Sequence, residues 1–213
     1  ELDSLDCSGH FWTTYLSGRQ HSWDFAVSNG EPQWVVGFYG SKRSGMRFDY
    51  WAMTHNEPAG TSLETSIAER WIYDNLEGYT GMVNLETIGA VIIECQLRIG
   101  DVIVLMADRD FMKSIIGLHE DGLWRYDGGP CHFHLACIWA SGSDFNNRNR
   151  VQDKQKYLEI LNKSATSWSI EFDEEWKGDP IGHKRVMVIG SESWSTASEL
   201  RKQICAQDPS LYY

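Results

Sequence analysis

Positive charge is scarce in this chain: 19 lysines and arginines stand against 30 aspartates and glutamates, a formal net charge of −11. Proteins that live on non-specific phosphate contacts are usually basic, because each neutralised phosphate adds affinity. The balance argues against a bulk nucleic-acid binder and leaves room for a local basic groove or a reader of one nucleotide. Long apolar runs are also missing. No stretch of 18 apolar residues occurs, so no membrane-spanning helix is expected, and no signal peptide is visible. The chain opens on Glu1 without a methionine, so a processed or excised piece of a longer protein is expected. The five cysteines (Cys7, Cys95, Cys131, Cys137, Cys205) are an odd number at irregular spacing. That pattern argues for reduced thiols and an intracellular setting, cytoplasmic or nuclear. Neither a P-loop nor a Gly-x-Gly-x-x-Gly is present, so nucleotide triphosphate chemistry finds no support in motifs.

What is present is apolar and aromatic. The chain has 213 residues, 42% hydrophobic, enough for one generous domain or two small ones. Its ten tryptophans are mostly core fillers, with a few in turn-rich segments as candidates for binding flat ligands. The most apolar landmark is Arg98-Ile-Gly-Asp-Val-Ile-Val-Leu-Met106, continued by Met112-Lys-Ser-Ile-Ile-Gly-Leu-His119. Two apolar runs around a charged tip read as a β-hairpin with a core strand over 102–105.

In chain order, residues 1–9 read as a lead-in and 10–16 as a first strand. Residues 21–29 read as a short helix closed by Asn29-Gly30, and 33–39 as a second strand. Thr61-Ser-Leu-Glu64 is a capping-box pattern, and Leu63, Ile67, Trp71 and Leu76 continue it as an amphipathic helix. Residues 88–97 and 132–139 read as strands, 151–161 as a helix, 167–172 and 186–189 as short strands, and 196–205 as a last helix.

Several constellations bear on chemistry. Cys131, His132, His134 and Cys137 carry zinc-ligand types, but on a strand the cysteines and the histidines face opposite ways, and no second pair exists. No metal site is assigned. Cys131 after Gly-Gly-Pro could serve a cysteine hydrolase with His119 or His183, which is kept as an alternative function. Glu86, Glu94 and Asp101 could form a nuclease-type acidic cluster, but Glu94-Cys-Gln96 lacks the expected lysine. Glu171, Asp173, Glu174 and Glu175 read as a solvated turn. Trp34, Trp51, Trp124 and Tyr126 could build an aromatic cage around a flat or methylated group.

Taken in order, these segments resemble PUA-like domains of the EVE and YTH type. The opening His10-Phe-Trp-Thr-Thr-Tyr-Leu-Ser-Gly, the segment with Trp23, and Trp34-Val-Val-Gly-Phe38 are similar to that family's first strand, helix and second strand. Ile99-Gly-Asp-Val-Ile-Val-Leu and Lys113-Ser-Ile-Ile-Gly-Leu resemble its later strands. The resemblance implies an α+β fold with a PUA-like β-barrel core at 10–140, an insertion at about 40–94, and a C-terminal α/β extension at 141–213. It implies a recognition module for a modified (methylated) base in DNA or RNA, as in McrB-type restriction proteins, non-catalytic, without cofactor, and fused to or assembled with an effector. Trp34, Phe38, Trp124 and Tyr126 would hold the flipped base, and Ser17, Gln20 and His21 would bond its edge. Lys42, Arg43, Arg47, Arg148 and Arg150 would meet phosphates. A protein-interaction domain with exposed aromatics is the other alternative.

Overall fold

The computed structural model describes residues 15–44, 47–53, 63–100, 103, 109–126, 134–141, 150–164, 167–170, 183–208 and 210–213. These form nine strands, β1 (Gln20–Ser28), β2 (Glu31–Ser44), β3 (Arg47–Met53), β4 (Gly81–Ile88), β5 (Val91–Gln96), β6 (His134–Ser141), β7 (Ser167–Ile170), β8 (His183–Ser191) and β9 (Leu211–Tyr212). Four helices accompany them: α1 (Leu63–Asn75), α2 (Arg109–Asp121), α3 (Arg150–Ser164) and α4 (Trp194–Gln207). One antiparallel sheet runs β5-β4-β1-β2-β3-β6-β8-β7, with β9 added to β6. The sheet is open, ending on β5 at one side and β7 at the other, so the expected closed PUA-like barrel is not the fold.

β1 is the central strand, and its sequence explains why. Trp23, Phe25 and Val27 alternate with Ser22, Asp24 and Ala26, and every residue from His21 to Val27 is buried. The expected helix over 21–29 is therefore a strand. Asn29-Gly30 is not a helix cap but a two-residue hairpin loop joining β1 to β2, with φ of 51° and 82°. Positive φ at both positions is the primed turn whose twist matches the flanking strands, which is why Asn-Gly suits it. Gly30 also lies under the end of α1, where a Cβ would meet the Leu76 carbonyl oxygen at 2.8 Å.

The hairpin expected over Arg98–His119 is also corrected. Arg109–Asp121 is helix α2, and it buries Phe111, Ser114, Gly117 and Leu118 at 3-4 spacing. Ile103 is buried and helical; Asp101, Val102 and 104–108 lie outside the described residues. So does the expected first strand up to Thr14. The strand readings over 33–39, 88–97, 132–139, 167–172 and 186–189 and the helices near 63–76, 151–161 and 196–205 meet observed elements.

Three cores hold the sheet. On one face Trp23, Phe25 and Val27 of β1 and Val83 and Leu85 of β4 pack under Ala68 and Ile72 of α1. On the same face farther along, Ile138, Ala140, Met187 and Ile189 pack under Tyr157 and Leu161 of α3 and Leu200 and Ile204 of α4. The opposite face holds Ala26, Val36, Phe38, Trp51, Met82, Leu135 and Cys137 against Phe111 and Leu118 of α2. α2 covers only the Ala26–Met82 end of that face; the Ser22–Glu86 end is lined by polar groups.

Candidate functional site

β4 alternates Met82, Asn84 and Glu86 on the α2 face with Val83, Leu85 and Thr87 on the α1 face. A two-residue turn at Gly89-Ala90 leads into β5, with Ile88 opposite Val91 and Thr87 opposite Ile92. Regular pairing would then set Glu86 against Ile93. A bulge intervenes instead, and Glu86 faces Glu94 while Asn84 faces Gln96. Bulges re-aim side chains and gather at functional sites. Here the extra residue, Ile93, is 40% exposed, and its insertion brings two carboxylates directly opposite each other.

Like charges facing across a strand pair destabilise a sheet, so the pair needs support. Gln20, at the start of β1, donates from Nε2 to Glu86 Oε2 at 2.7 Å. Gln96 donates from Nε2 to Glu94 Oε1. Each glutamine thereby turns its amide oxygen away, and both Oε1 atoms are buried without a hydrogen-bond partner. The outcome is two carboxylates and two unsatisfied amide oxygens, all hard oxygen donors.

Beneath them lies a fully buried carboxylate, Asp24. It accepts the Gly100 N–H at 2.6 Å on Oδ1, which pins the segment following β5 to the central strand. A Cβ at Gly100 would come within 2.8 Å of both Asp24 carboxylate oxygens and of Asn84 Nδ2, so only glycine permits this approach. Asn84 is 3% exposed and donates to Ser22 Oγ at 2.9 Å and to the Trp23 carbonyl at 3.4 Å.

This polar floor forms one wall of a cavity of about 210 Å³, made by Ser22, Asn84, Glu86, Gln96, Arg98 and Gly100. The other wall comes from the far half of the sheet: Phe48 and Trp51 of β3, Cys137 and Trp139 of β6, and Arg185 of β8. Trp139 donates from Nε1 to the Phe48 carbonyl at 3.0 Å, and the Phe48 and Trp51 rings lie 4.3 Å apart between centroids. On the opposite face, burial pushes the Cys95 thiol above its ordinary value, and Tyr79 is raised by burial and by the neighbouring Cys95.

Among the described residues no group of three or more histidine, cysteine, aspartate or glutamate side chains is placed to hold a metal ion. The Glu86–Glu94 pair nevertheless suits one particular ion. Mg²⁺ prefers oxygen ligands and is commonly held by one or two carboxylates together with substrate phosphates rather than by a complete protein cage.

No family model matches the sequence, and a search of curated proteins finds no match. Solved structures do match. An N5-carboxyaminoimidazole ribonucleotide synthetase in its ADP complex aligns with a TM-score of 0.58 at 12% identity, over 92% of this chain and 51% of that one. The phosphoribosylaminoimidazole carboxylase ATPase subunit from Aquifex aeolicus aligns with a TM-score of 0.58 at 9% identity, over 92% and 57%. An L-amino acid ligase from Bacillus licheniformis gives 0.55 at 12% identity, over 92% and 54%. The fold is ATP-grasp-like. The chain spans about half the length of these solved structures.

The ATP-grasp-like fold overturns the PUA-like, EVE/YTH resemblance and with it the modified-base reader and its restriction setting. The residues expected to hold the base are placed as follows. Trp34 and Trp124 do meet, with centroids 5.3 Å apart, and Phe111 and Tyr126 join them at 5.5 and 6.2 Å from Trp34. Phe38 is fully buried in the core below this group. Ser17 is exposed, His21 is buried and stacked on Trp23 on the α1 face, and Gln20 alone of the set belongs to the acidic pair. Of the expected phosphate contacts, Lys42 lies over the Phe48 ring at 5.1 Å. Arg148 and the side chains of Arg43, Arg47 and Arg150 are outside the described residues, as is Cys131 of the hydrolase alternative. His119 sits in the last turn of α2. No described helix is long and apolar enough to cross a membrane.

Two of the residues that matter, Glu86 and Glu94, were visible in the sequence as acids of a possible cluster. Asn84, Gln96 and the buried Asp24 were not singled out. The signal for them was the polar residue recurring every second position in an otherwise apolar strand.

Proposed function

We propose that this chain forms the metal- and phosphate-holding part of an ATP-dependent ligase. The observation that carries the reading is the Glu86–Glu94 pair, set opposite each other by a bulge and flanked by two amide oxygens that lack partners. Glu86 and Glu94 would hold Mg²⁺. Bound there with a nucleotide, the ion supplies neutralisation of phosphate charge. Gln20 and Gln96 orient the two carboxylates, as outer hydrogen-bond partners do in metal sites. Asp24 acts one step behind, holding the Gly100 backbone and so the course of the chain past Arg98. The fold likeness supports the nucleotide: the synthetase with a TM-score of 0.58 is an ADP complex. The missing P-loop does not weigh against it, because phosphate here is met through carboxylates and an ion instead of through a glycine-rich loop.

Calorimetric titration of the chain with ADP tests the reading. Binding is expected with Mg²⁺ and not in EDTA, and Glu86→Gln and Glu94→Gln should each weaken the Mg²⁺-dependent binding at least about tenfold. ADP binding of equal strength with and without Mg²⁺, or variants that titrate like the wild type, would overturn it.

A further inference from the structure

The outer side of α2 carries a pattern that neither the core nor the cavity uses. Phe111, Ser114, Gly117 and Leu118 form its inner side. Opposite them Arg109, Met112, Ile116 and Glu120 follow one another at i, i+3, i+7 and i+11, and all four are exposed. Met112 and Ile116, 47% and 54% exposed, lie one turn apart and make an apolar centre. The charges around this ridge fall into two groups. Asp110 pairs with Lys113 at 2.6 Å and Asp121 with Arg125 at 2.9 Å, both within the chain. Arg109 and Glu120 have no partner among the described residues. Nor do they serve the helix, because a cation in the first turn and an anion in the last turn oppose its dipole. They stand about 16 Å apart along the axis, opposite in sign, one on either side of the Met112–Ile116 centre.

We infer that this ridge docks a second copy of the chain, through an antiparallel α2–α2 contact. About a two-fold axis at the Met112–Ile116 centre, Arg109 of one protomer meets Glu120 of the partner subunit, and the reverse pair forms at the other end. The apolar centre covers its own copy. Contact of i with j and of j with i is what a two-fold interface requires. Packed helices lie about 8–10 Å apart, a gap that long charged side chains span. Two helices of 13 residues each give a contact at the small end of specific interfaces, below about 1,200 Å². The dimer is therefore reversible, with a Kd roughly in the micromolar range. The inference is independent of the ligase reading, since no residue of the ridge lines the cavity or belongs to the carboxylate pair.

Sedimentation velocity of the full chain across roughly 1–200 μM tests the contact. The wild type should show a monomer–dimer equilibrium. Arg109→Glu and Glu120→Arg each turn both ion pairs into like-charge contacts, so each should weaken the dimer at least about tenfold. Net charge alone would move these two variants in opposite directions, since one makes the acidic chain more negative and the other less. Both reversals place charge as the helix dipole favours, so the monomer should stay folded, which circular dichroism checks. Mixed in equal amounts, the two variants should dimerise within about threefold of the wild type, because each supplies the charge that the other lacks. Ile116→Ser should weaken the dimer several-fold by removing the apolar centre. A wild type that stays monomeric at the highest concentration would overturn the inference. So would a reversal variant that dimerises as well as the wild type, a dimer indifferent to Ile116→Ser, or a mixture that associates no better than its two components alone.

Discussion

The two faces of the β1–β4 pair are built from the same strands and are both buried, yet they differ in kind. Under α1 the face is apolar: Trp23, Phe25, Val27, Val83 and Leu85 meet Ala68 and Ile72. On the other side Ser22, Asn84 and Glu86 follow one another into the cavity, and Asp24 is buried beside them. Burial of polar groups costs free energy unless each finds a partner. A face that only had to stabilise the sheet would not hold a fully buried aspartate. The α1 face therefore carries stability, the cavity face is the one the proposed function assigns to chemistry, and substitutions should separate the two.

The largest expected effect is on the apolar face. Phe25→Ala should cost about 3–5 kcal/mol and Leu85→Ala about 2–5 kcal/mol in urea unfolding, because both side chains are fully buried and leave cavities. Where these variants remain folded, their Mn²⁺ affinity should match the wild type. A changed affinity would mean that the two faces are not separable.

Asp24→Ala should cost less, about 1–3 kcal/mol, by stranding the buried Gly100 N–H. Amide exchange at Gly100 should rise in the same variant; unchanged protection there would detach Asp24 from the loop it is held to fix.

Glu86→Gln should move stability least. It removes one of two like charges facing each other across the strands, but also a negative charge beside Arg98 and Arg185, so the metal-free protein should stay within about 1 kcal/mol of the wild type. Stability kept while metal binding falls marks a residue kept for function, whereas a loss of several kcal/mol would make Glu86 a structural residue.

The smallest effect concerns the thiols. Cys205 is pushed up to about 11 by burial, with Arg201 lowering it and Asp208 raising it less strongly. Its thiolate is scarce below that pH, so alkylation at pH 8 should spare Cys205 and reach the exposed Cys95 before it. Labelling of Cys205 should climb only as the pH approaches 11. Faster labelling of Cys205 than of Cys95 at pH 8 would contradict that placement.

Much of this division was legible in the residues, and the misses have physical causes. The helix at 63–75 and the strands β2, β5, β6 and β8 follow from period and composition. β1 resembles a helix in sequence because its short aromatic run hides the two-residue alternation, and because Asn-Gly marks both helix ends and primed hairpin turns. α2 resembles a strand because Met112, Ile115, Ile116 and Leu118 look like one apolar run; the 3-4 spacing of Phe111, Ile115 and Leu118 is the better guide. The acidic pair was half legible. Glu86 and Glu94 were noticed as acids, but their facing depends on a one-residue bulge that no local pattern announces. The cavity was not legible, since its walls come from residues 22 and 185 and many between, brought together only by the strand order of the whole sheet.

Mn²⁺ titration of the full chain followed by electron paramagnetic resonance tests the division most directly, with Glu86→Gln/Glu94→Gln and Leu85→Ala read beside the wild type. One site is expected in the wild type and in folded Leu85→Ala, and none in the double variant, whose unfolding midpoint stays close to that of the metal-free wild type. A double variant that still binds Mn²⁺ like the wild type, or a wild type that binds none, would contradict the assignment of chemistry to the cavity face.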